Sequence, residues 1–141
     1  MSFLLDTNVI SEVMRTSPDA RVVEWLNISA SAEIYLCSVT IAEISYGLEA
    51  MPPGQRREDV TSRFRSFIEQ GFAGRVLPFD ENSAHIYGEI MAQRRSIGRP
   101  MSVLDGQIAA IARLNVLTVA TRDFSGFEST GVDLINPWAH R

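Results

Sequence analysis

Four carboxylates, Asp6, Glu43, Asp105 and Asp123, are the side chains of this 141-residue sequence whose types and positions could do chemistry. Each stands at or near a junction between an apolar, strand-like run and a helix. Four acids brought to one place repel one another, so either some take up protons or a divalent cation sits among them. The donors are all oxygens. His85 and His140 fall on a polar helix start and in the tail, where they read as surface residues, and Cys37 is the only cysteine, so zinc suits the set poorly. Carboxylates with water suit Mg²⁺ or Mn²⁺. Such ions polarise a phosphate oxygen, orient an attacking water and steady a leaving oxygen, and a pair would stand about 3.5–4 Å apart. Hydrolysis of a phosphodiester is the reaction that fits.

Each acid taken singly has a plainer reading. Asp6, Thr7 or Asn8 would cap a helix over Val9 to Met14. Thr40-Ile41-Ala42-Glu43 and Ser102-Val103-Leu104-Asp105 both match the capping-box pattern, in which the acid serves only the helix start. Asp105, however, shares a helical face with Ile108, Ala109 and Ala112, and a carboxylate on an apolar face points inward.

The elements between the acids decide whether they meet. Phe3-Leu4-Leu5 is a continuous apolar run stopped by Asp6, as a buried parallel strand looks in sequence. Helical spacing then predicts helices over Asp19 to Ile28, Thr40 to Ala50, Gln55 to Gln70, Asp80 or Asn82 to Ser96, and Ser102 to Leu114. Further strands are expected at Ile34 to Cys37, Val116 to Ala120 and, more weakly, Val76 to Phe79 and Leu134-Ile135. Pro78 cannot donate to a ladder and would place its strand at an edge. Strands alternating with helices argue for one α/β domain over residues 1–141, a mostly parallel central sheet flanked by helices. In that arrangement Asp6 and Asp123 end strands at the carboxyl edge. Glu43, in the first turn of the helix leaving the second strand, and Asp105, in the first turn of a helix returning to the Val116 strand, belong to the same rim.

Composition sets the outer bounds. Hydrophobic residues at 45% and charged ones at 21% describe a globular domain. No apolar run approaches the roughly 18 residues of a membrane span, and no signal peptide is recognisable, so a cytoplasmic protein is expected. Cys37, in an apolar segment, reads as a buried structural thiol in a reducing compartment. All 13 basic residues are arginine. Arginine's planar fork suits phosphate oxygens, although genomic base composition produces the same bias. Setting four carboxylates aside as metal ligands leaves as many acids as arginines, so the net charge of -4 does not argue against a nucleic-acid partner.

Taken together, Leu4-Leu5-Asp6-Thr7-Asn8-Val9-Ile10-Ser11, Thr40-Ile41-Ala42-Glu43-Ile44, Asp105-Gly106-Gln107-Ile108-Ala109-Ala110, Ala120-Thr121-Arg122-Asp123 and the closing Asn136-Pro137-Trp138 resemble PIN-domain ribonucleases of the VapC toxin type, in particular the FitB-like members. The resemblance spans nearly the whole chain. It implies a PIN domain whose quartet Asp6, Glu43, Asp105 and Asp123 holds Mg²⁺ or Mn²⁺ for cutting RNA. It also implies a homodimer held inactive by a small VapB-like antitoxin, whose C-terminal segment lies across the site. By the same analogy Asn8 and Thr121 support the site through hydrogen bonds. Family members often carry asparagine where Asp123 stands, which makes it the least secure metal contact. Arg94, Arg95 and Arg99, upstream of Asp105, are candidates for RNA phosphate or an antitoxin carboxylate, against the reading of a solvated helix end.

Two rival functions frame these expectations. A haloacid-dehalogenase-like phosphatase also puts an aspartate after its first strand, but it wants a second acid where Asn8 stands and a lysine, and the chain has none. The other is a binding module that keeps the PIN fold and acts mainly as partner of a DNA-binding antitoxin. No helix-turn-helix or basic stripe is visible that would read DNA directly. Trp25, Phe64, Phe67 and Phe72 crowd two helices, and one of those faces is expected to form part of the antitoxin groove.

Overall fold

The computed structural model describes residues 1–30 and 33–139. Five strands, β1 (Phe3–Leu5), β2 (Ile34–Cys37), β3 (Val76–Leu77), β4 (Thr118–Ala120) and β5 (Leu134–Ile135), form a sheet in the order β3-β2-β1-β4-β5. Every neighbouring pair is parallel. The central strands are mostly apolar, as suits a sheet covered on both faces. Phe3, Leu5, Leu36 and Ala120 enter one core with Val9, Ile10, Val22 and Trp25, whereas Leu4, Cys37 and Val119 enter the other with Ile90, Ile108, Ile111 and Phe127. That alternation is the two-residue period of a strand. Full burial of Leu4 and Leu5 stabilises the fold by about 2 kcal/mol apiece, and truncating either to alanine would cost about 2–5 kcal/mol.

The helices are α1 (Thr7–Val13), α2 (Ala20–Ile28), α3 (Ser38–Glu49), α4 (Gln55–Gly71), α5 (Glu81–Ser96), α6 (Val103–Leu114) and α7 (Phe124–Phe127), and a 3₁₀ turn follows at Pro137–Ala139. Asp19, Asp80 and Ser102 cap α2, α5 and α6 through side-chain oxygens that accept backbone N–H groups, which is why those helices start there. From β1 the chain winds outward to β2 and β3. It then returns to place β4 and β5 on the opposite side. The winding therefore reverses at β1, and a crevice opens at that strand's carboxyl end.

Several boundaries differ from those the sequence predicts. The first helix begins at Thr7 rather than Val9, because Asp6 accepts the Thr7 N–H at 2.8 Å. The third begins at Ser38 rather than Thr40, so Glu43 sits in its second turn and Thr40 is not a cap; the buried Thr40 hydroxyl donates back to the Cys37 carbonyl at 2.9 Å. The fourth strand begins at Thr118 rather than Val116. Val116 is the left-handed residue (φ 54°) of a Schellman ending to α6, with Leu117 N–H on Ala112 O and Val116 N–H on Arg113 O. Asp123 does not end β4. It lies three residues beyond and caps α7, a short helix that no periodicity announced.

Cys37 is buried and free, and burial pushes its thiol up. Among the described residues no helix is long and apolar enough to cross a membrane.

Candidate active site

The crevice at the end of β1 is built around one buried carboxylate. The register that sets Leu5 opposite Ala120 continues through the Asp6 N–H, which donates to Ala120 O at 3.0 Å, and so brings Thr121 beside Asp6. Asp6 Oδ1 accepts from the Thr7 amide, and Oδ2 accepts from the Thr121 hydroxyl at 2.8 Å. Burial pushes the Asp6 carboxyl up to about 6. The Thr121 and Thr7 bonds oppose that rise, while the charges of Asp105 and Glu43 add to it. Thr121 is fully buried, and its oxygen also accepts from Asn8 Nδ2 at 3.2 Å and from the Asp123 N–H at 3.0 Å. One donor and two acceptor sites are thus all used.

The other acids are held by their own neighbours. Glu43 reaches from the second turn of α3 to accept the Thr7 hydroxyl at 2.8 Å, a bond that ties α3 to the start of α1. Asp105, half-buried in the first turn of α6, is raised by burial. The Ser102 hydroxyl lowers it, and the charges of Asp123 and Glu43 raise it further. Asp123 Oδ1 accepts from the Gly126 N–H at 3.1 Å and from the Ser125 hydroxyl at 3.0 Å. A side chain at Gly126 would begin 2.5 Å from Asp123 Oδ2 and 3.2 Å from Asp105 Oδ2. A Cβ there would force the Asp123 carboxylate to turn aside.

All four acids line one cleft of about 500 Å³, with Thr7, Asn8, Ser11, Glu12, Arg15, Arg122 and Trp138. Among the described residues, no three Asp, Glu, His or Cys side chains stand close enough to enclose one ion. Mg²⁺ does not need such a cage, since it keeps several waters and is commonly held by one or two carboxylates together with substrate phosphate. The donor chemistry therefore fits a hydrated divalent cation. Past Glu43 the cleft opens into an apolar groove of about 340 Å³ between α1, α3 and α4, floored by Ile44, Leu48, Met51, Val60 and Phe64.

The arginine candidates separate sharply. Arg94 does not face solvent or the cleft. It is buried, and its guanidinium donates to the carbonyls of Arg99, Gly126 and Glu128 at 2.6, 3.1 and 2.8 Å, pinning the end of α5 to the loop around α7. Four of its five N–H donors are spent on carbonyls, and the guanidinium is buried away from the cleft, so it does not meet phosphate. Arg99 pairs with Glu128 at 3.0 Å, and Arg95 is exposed. Arg15 and Arg122 are the cations that line the cleft. His85 is exposed and 3.9 Å from Glu81, while His140 lies outside the described residues. The expected aromatics divide: Trp25, Phe64 and Phe72 are buried in the core, Phe67 is half-buried against Phe72, and Phe64 also lines the apolar groove.

Thr7, Glu12, Arg122 and Gly126 are site residues that sequence reasoning passed over. Thr7 sits next to Asp6 on the first helical turn, a position that could have marked it. Glu12 and Gly126 carry no such signal, because the groups that draw them into the cleft, Arg122 beside Glu12 and Asp105 beside Gly126, come from distant parts of the chain.

The PIN domain family model matches residues 3–132. The chain belongs to the PIN-domain family. This PIN domain is 44% identical to a VapC ribonuclease of Sinorhizobium fredii over 96% of each chain. It is 42% identical to the toxin FitB of Neisseria gonorrhoeae, over 96% of this chain and 97% of that one. A solved structure of FitAB bound to an IR36 DNA fragment superposes with a TM-score of 0.92 at 40% identity, covering 99% of this chain and 97% of that one. The parallel five-stranded sheet and its flanking helices are thus a PIN fold in both sequence and shape.

Proposed function

We propose that this PIN domain is a Mg²⁺- or Mn²⁺-dependent endoribonuclease and the toxin half of a VapBC-type toxin–antitoxin pair, acting in the cytoplasm. The observation that carries the reading is the convergence of Asp6, Glu43, Asp105 and Asp123 on one cleft at the reversal point of a parallel sheet. Relatives similar over nearly the whole chain bear the names ribonuclease and toxin, which supports the substrate class.

In this reading a divalent cation held by the cleft carboxylates would supply the charge that neutralises the phosphate. Asp6 is fixed on both oxygens by Thr121 and Thr7, so it serves as an anchored ligand rather than a mobile base. Glu43, oriented by Thr7, faces Asp6 across the same turn. Asp105, half-buried in the first turn of α6 and lining the cleft beside Asp123, would share in holding that cation. Asp123, held by Gly126 and Ser125, lies beside Asp105 and completes the acidic wall. The apolar groove beyond Glu43 is where a VapB-like antitoxin segment would dock, and the toxin would dimerise and assemble further with that antitoxin.

The test is cleavage of total cellular RNA by purified, antitoxin-free protein, comparing wild type with Asp6→Asn, in Mg²⁺ or Mn²⁺ and in chelator. Discrete products that require both Asp6 and the metal are expected. A folded protein that binds metal and cuts nothing would replace the enzyme with the binding-module reading, in which the quartet variant still assembles with its antitoxin and represses.

A further inference from the structure

Arg122 stands between Thr121 and Asp123, at the mouth of the acidic cleft, and it is held unusually well for an exposed side chain. Its guanidinium carbon lies 3.9 Å from the centroid of the Trp138 ring. Its Nη2 is 3.9 Å from Oε1 of Glu12, whose own carboxylate is buried. Its backbone N–H donates to Asn8 Oδ1 at 3.4 Å, so the same asparagine that reaches Thr121 also positions residue 122. Glu12 is fixed in turn by the Asp19 N–H at 3.0 Å and by Arg15 at 3.4 Å. The Arg122 side chain nevertheless remains 56% exposed and lines the cleft.

A free surface arginine loses much rotamer entropy when it binds, whereas one stacked on an indole has already lost it. Stacking uses the face of the guanidinium and leaves its N–H edge to form a fork with a phosphate. A cleft walled by four carboxylates also repels a polyanionic strand wherever no cation intervenes. Arg15 is the other cation there, but it is 68% exposed and its ion pair is with Glu12, without an aromatic platform.

We infer that Arg122, stacked on Trp138 and steadied by Glu12, binds a backbone phosphate of the RNA substrate at the edge of the metal cleft. This assignment rests on the ribonuclease reading and deepens it. Arg122 holds the strand, and the carboxylates act on the bond.

The experiment measures anisotropy of a fluorescent single-stranded RNA dodecamer of mixed sequence with the antitoxin-free protein in Ca²⁺, across 50–300 mM salt. It is paired with cleavage of the same RNA in Mg²⁺ or Mn²⁺. Arg122→Ala is expected to weaken binding about tenfold and to reduce the log–log salt slope by about 0.7, the value of one single-strand phosphate contact. Its cleavage defect should lie mainly in KM. Arg122→Lys should restore the slope but only part of the affinity, and Arg95→Ala should match wild type. Arg122→Gln, a polar planar replacement, serves if alanine impairs folding. Wild type that binds and cuts the RNA, with Arg122→Ala and Arg122→Gln equal to it in affinity and slope, overturns the Arg122 assignment alone. A defect seen only with an antitoxin peptide overturns it as well. Wild type that neither binds nor cuts overturns both this assignment and the ribonuclease reading.

Discussion

Thr121 Oγ1 donates to Asp6 Oδ2 at 2.8 Å, joining two residues 115 positions apart through the register of β1 with β4. Thr121→Val keeps the shape and removes the oxygen. Asp6 then loses a hydrogen bond, and the Asn8 amide and Asp123 N–H lose an acceptor. Stability should fall by about 1–3 kcal/mol. Cleavage at neutral pH should fall at least tenfold, with Thr121→Ser recovering most of both. Urea denaturation and an RNA cleavage assay read the two effects, and a fully active valine variant would contradict the account.

The raised Asp6 carboxyl makes a statement about stability with a definite sign. Its value rises from the ordinary 3.8 to about 6, so between those values the folded protein holds more protons than the unfolded chain. Stability of the metal-free protein should therefore fall as pH rises through about 6 and level off above it, by on the order of 3 kcal/mol. Asp105, raised as well, works in the same direction. Asp19, held at about 2 by Arg21, and Asp80, lowered by Ser83, work the other way only in more acidic solution. The difference between denaturation midpoints in chelator at pH 5 and pH 7.5 should be clearly smaller for Asp6→Asn than for wild type. Parallel behaviour of the two proteins would sink the assignment.

Gly126 holds the Asp123 carboxylate in place. The atom that a Cβ would strike first is the end of the Asp123 side chain, which would turn aside and give up its bonds with the Gly126 N–H and the Ser125 hydroxyl. Gly126→Ala should cost about 0.5–2 kcal/mol of stability, the worth of a helix cap, and lower cleavage about tenfold or more, because the displaced group is a cleft carboxylate. Normal activity would show that the orientation of Asp123 is immaterial.

Arg94 is expected to behave as a structural residue. Arg94→Ala removes a buried guanidinium and its charge-assisted bonds to the carbonyls of Arg99, Gly126 and Glu128 and should cost about 2–4 kcal/mol, far more than loss of an exposed arginine. Thermal melts of Arg94→Ala beside Arg95→Ala make the comparison, and equal melting temperatures would refute it.

Val116 offers a gain. A β-branched residue at φ 54° in a Schellman ending is strained, and its side chain is 88% exposed, so little packing is lost on its removal. Val116→Gly should stabilise the protein by about 1 kcal/mol without altering cleavage, as chemical denaturation would register.

The alternation of apolar runs with amphipathic helices was legible because it follows from local periodicity. β1, β2 and the helices from Gln55 and Ser102 lie close to where that periodicity puts them. The rim that gathers Asp6, Glu43 and Asp105 was likewise legible, because parallel connections admit one direction only. What local pattern could not carry is the partner of each polar group. Thr40 and Glu43 match a capping box in sequence, yet the helix begins two residues sooner and Glu43 is bound to Thr7. Arg94 and Arg122 are the same residue type with similarly polar neighbours. Tertiary packing alone buries the first among carbonyls and stacks the second on Trp138, since a guanidinium's role is set by whatever distant chain reaches its five donors.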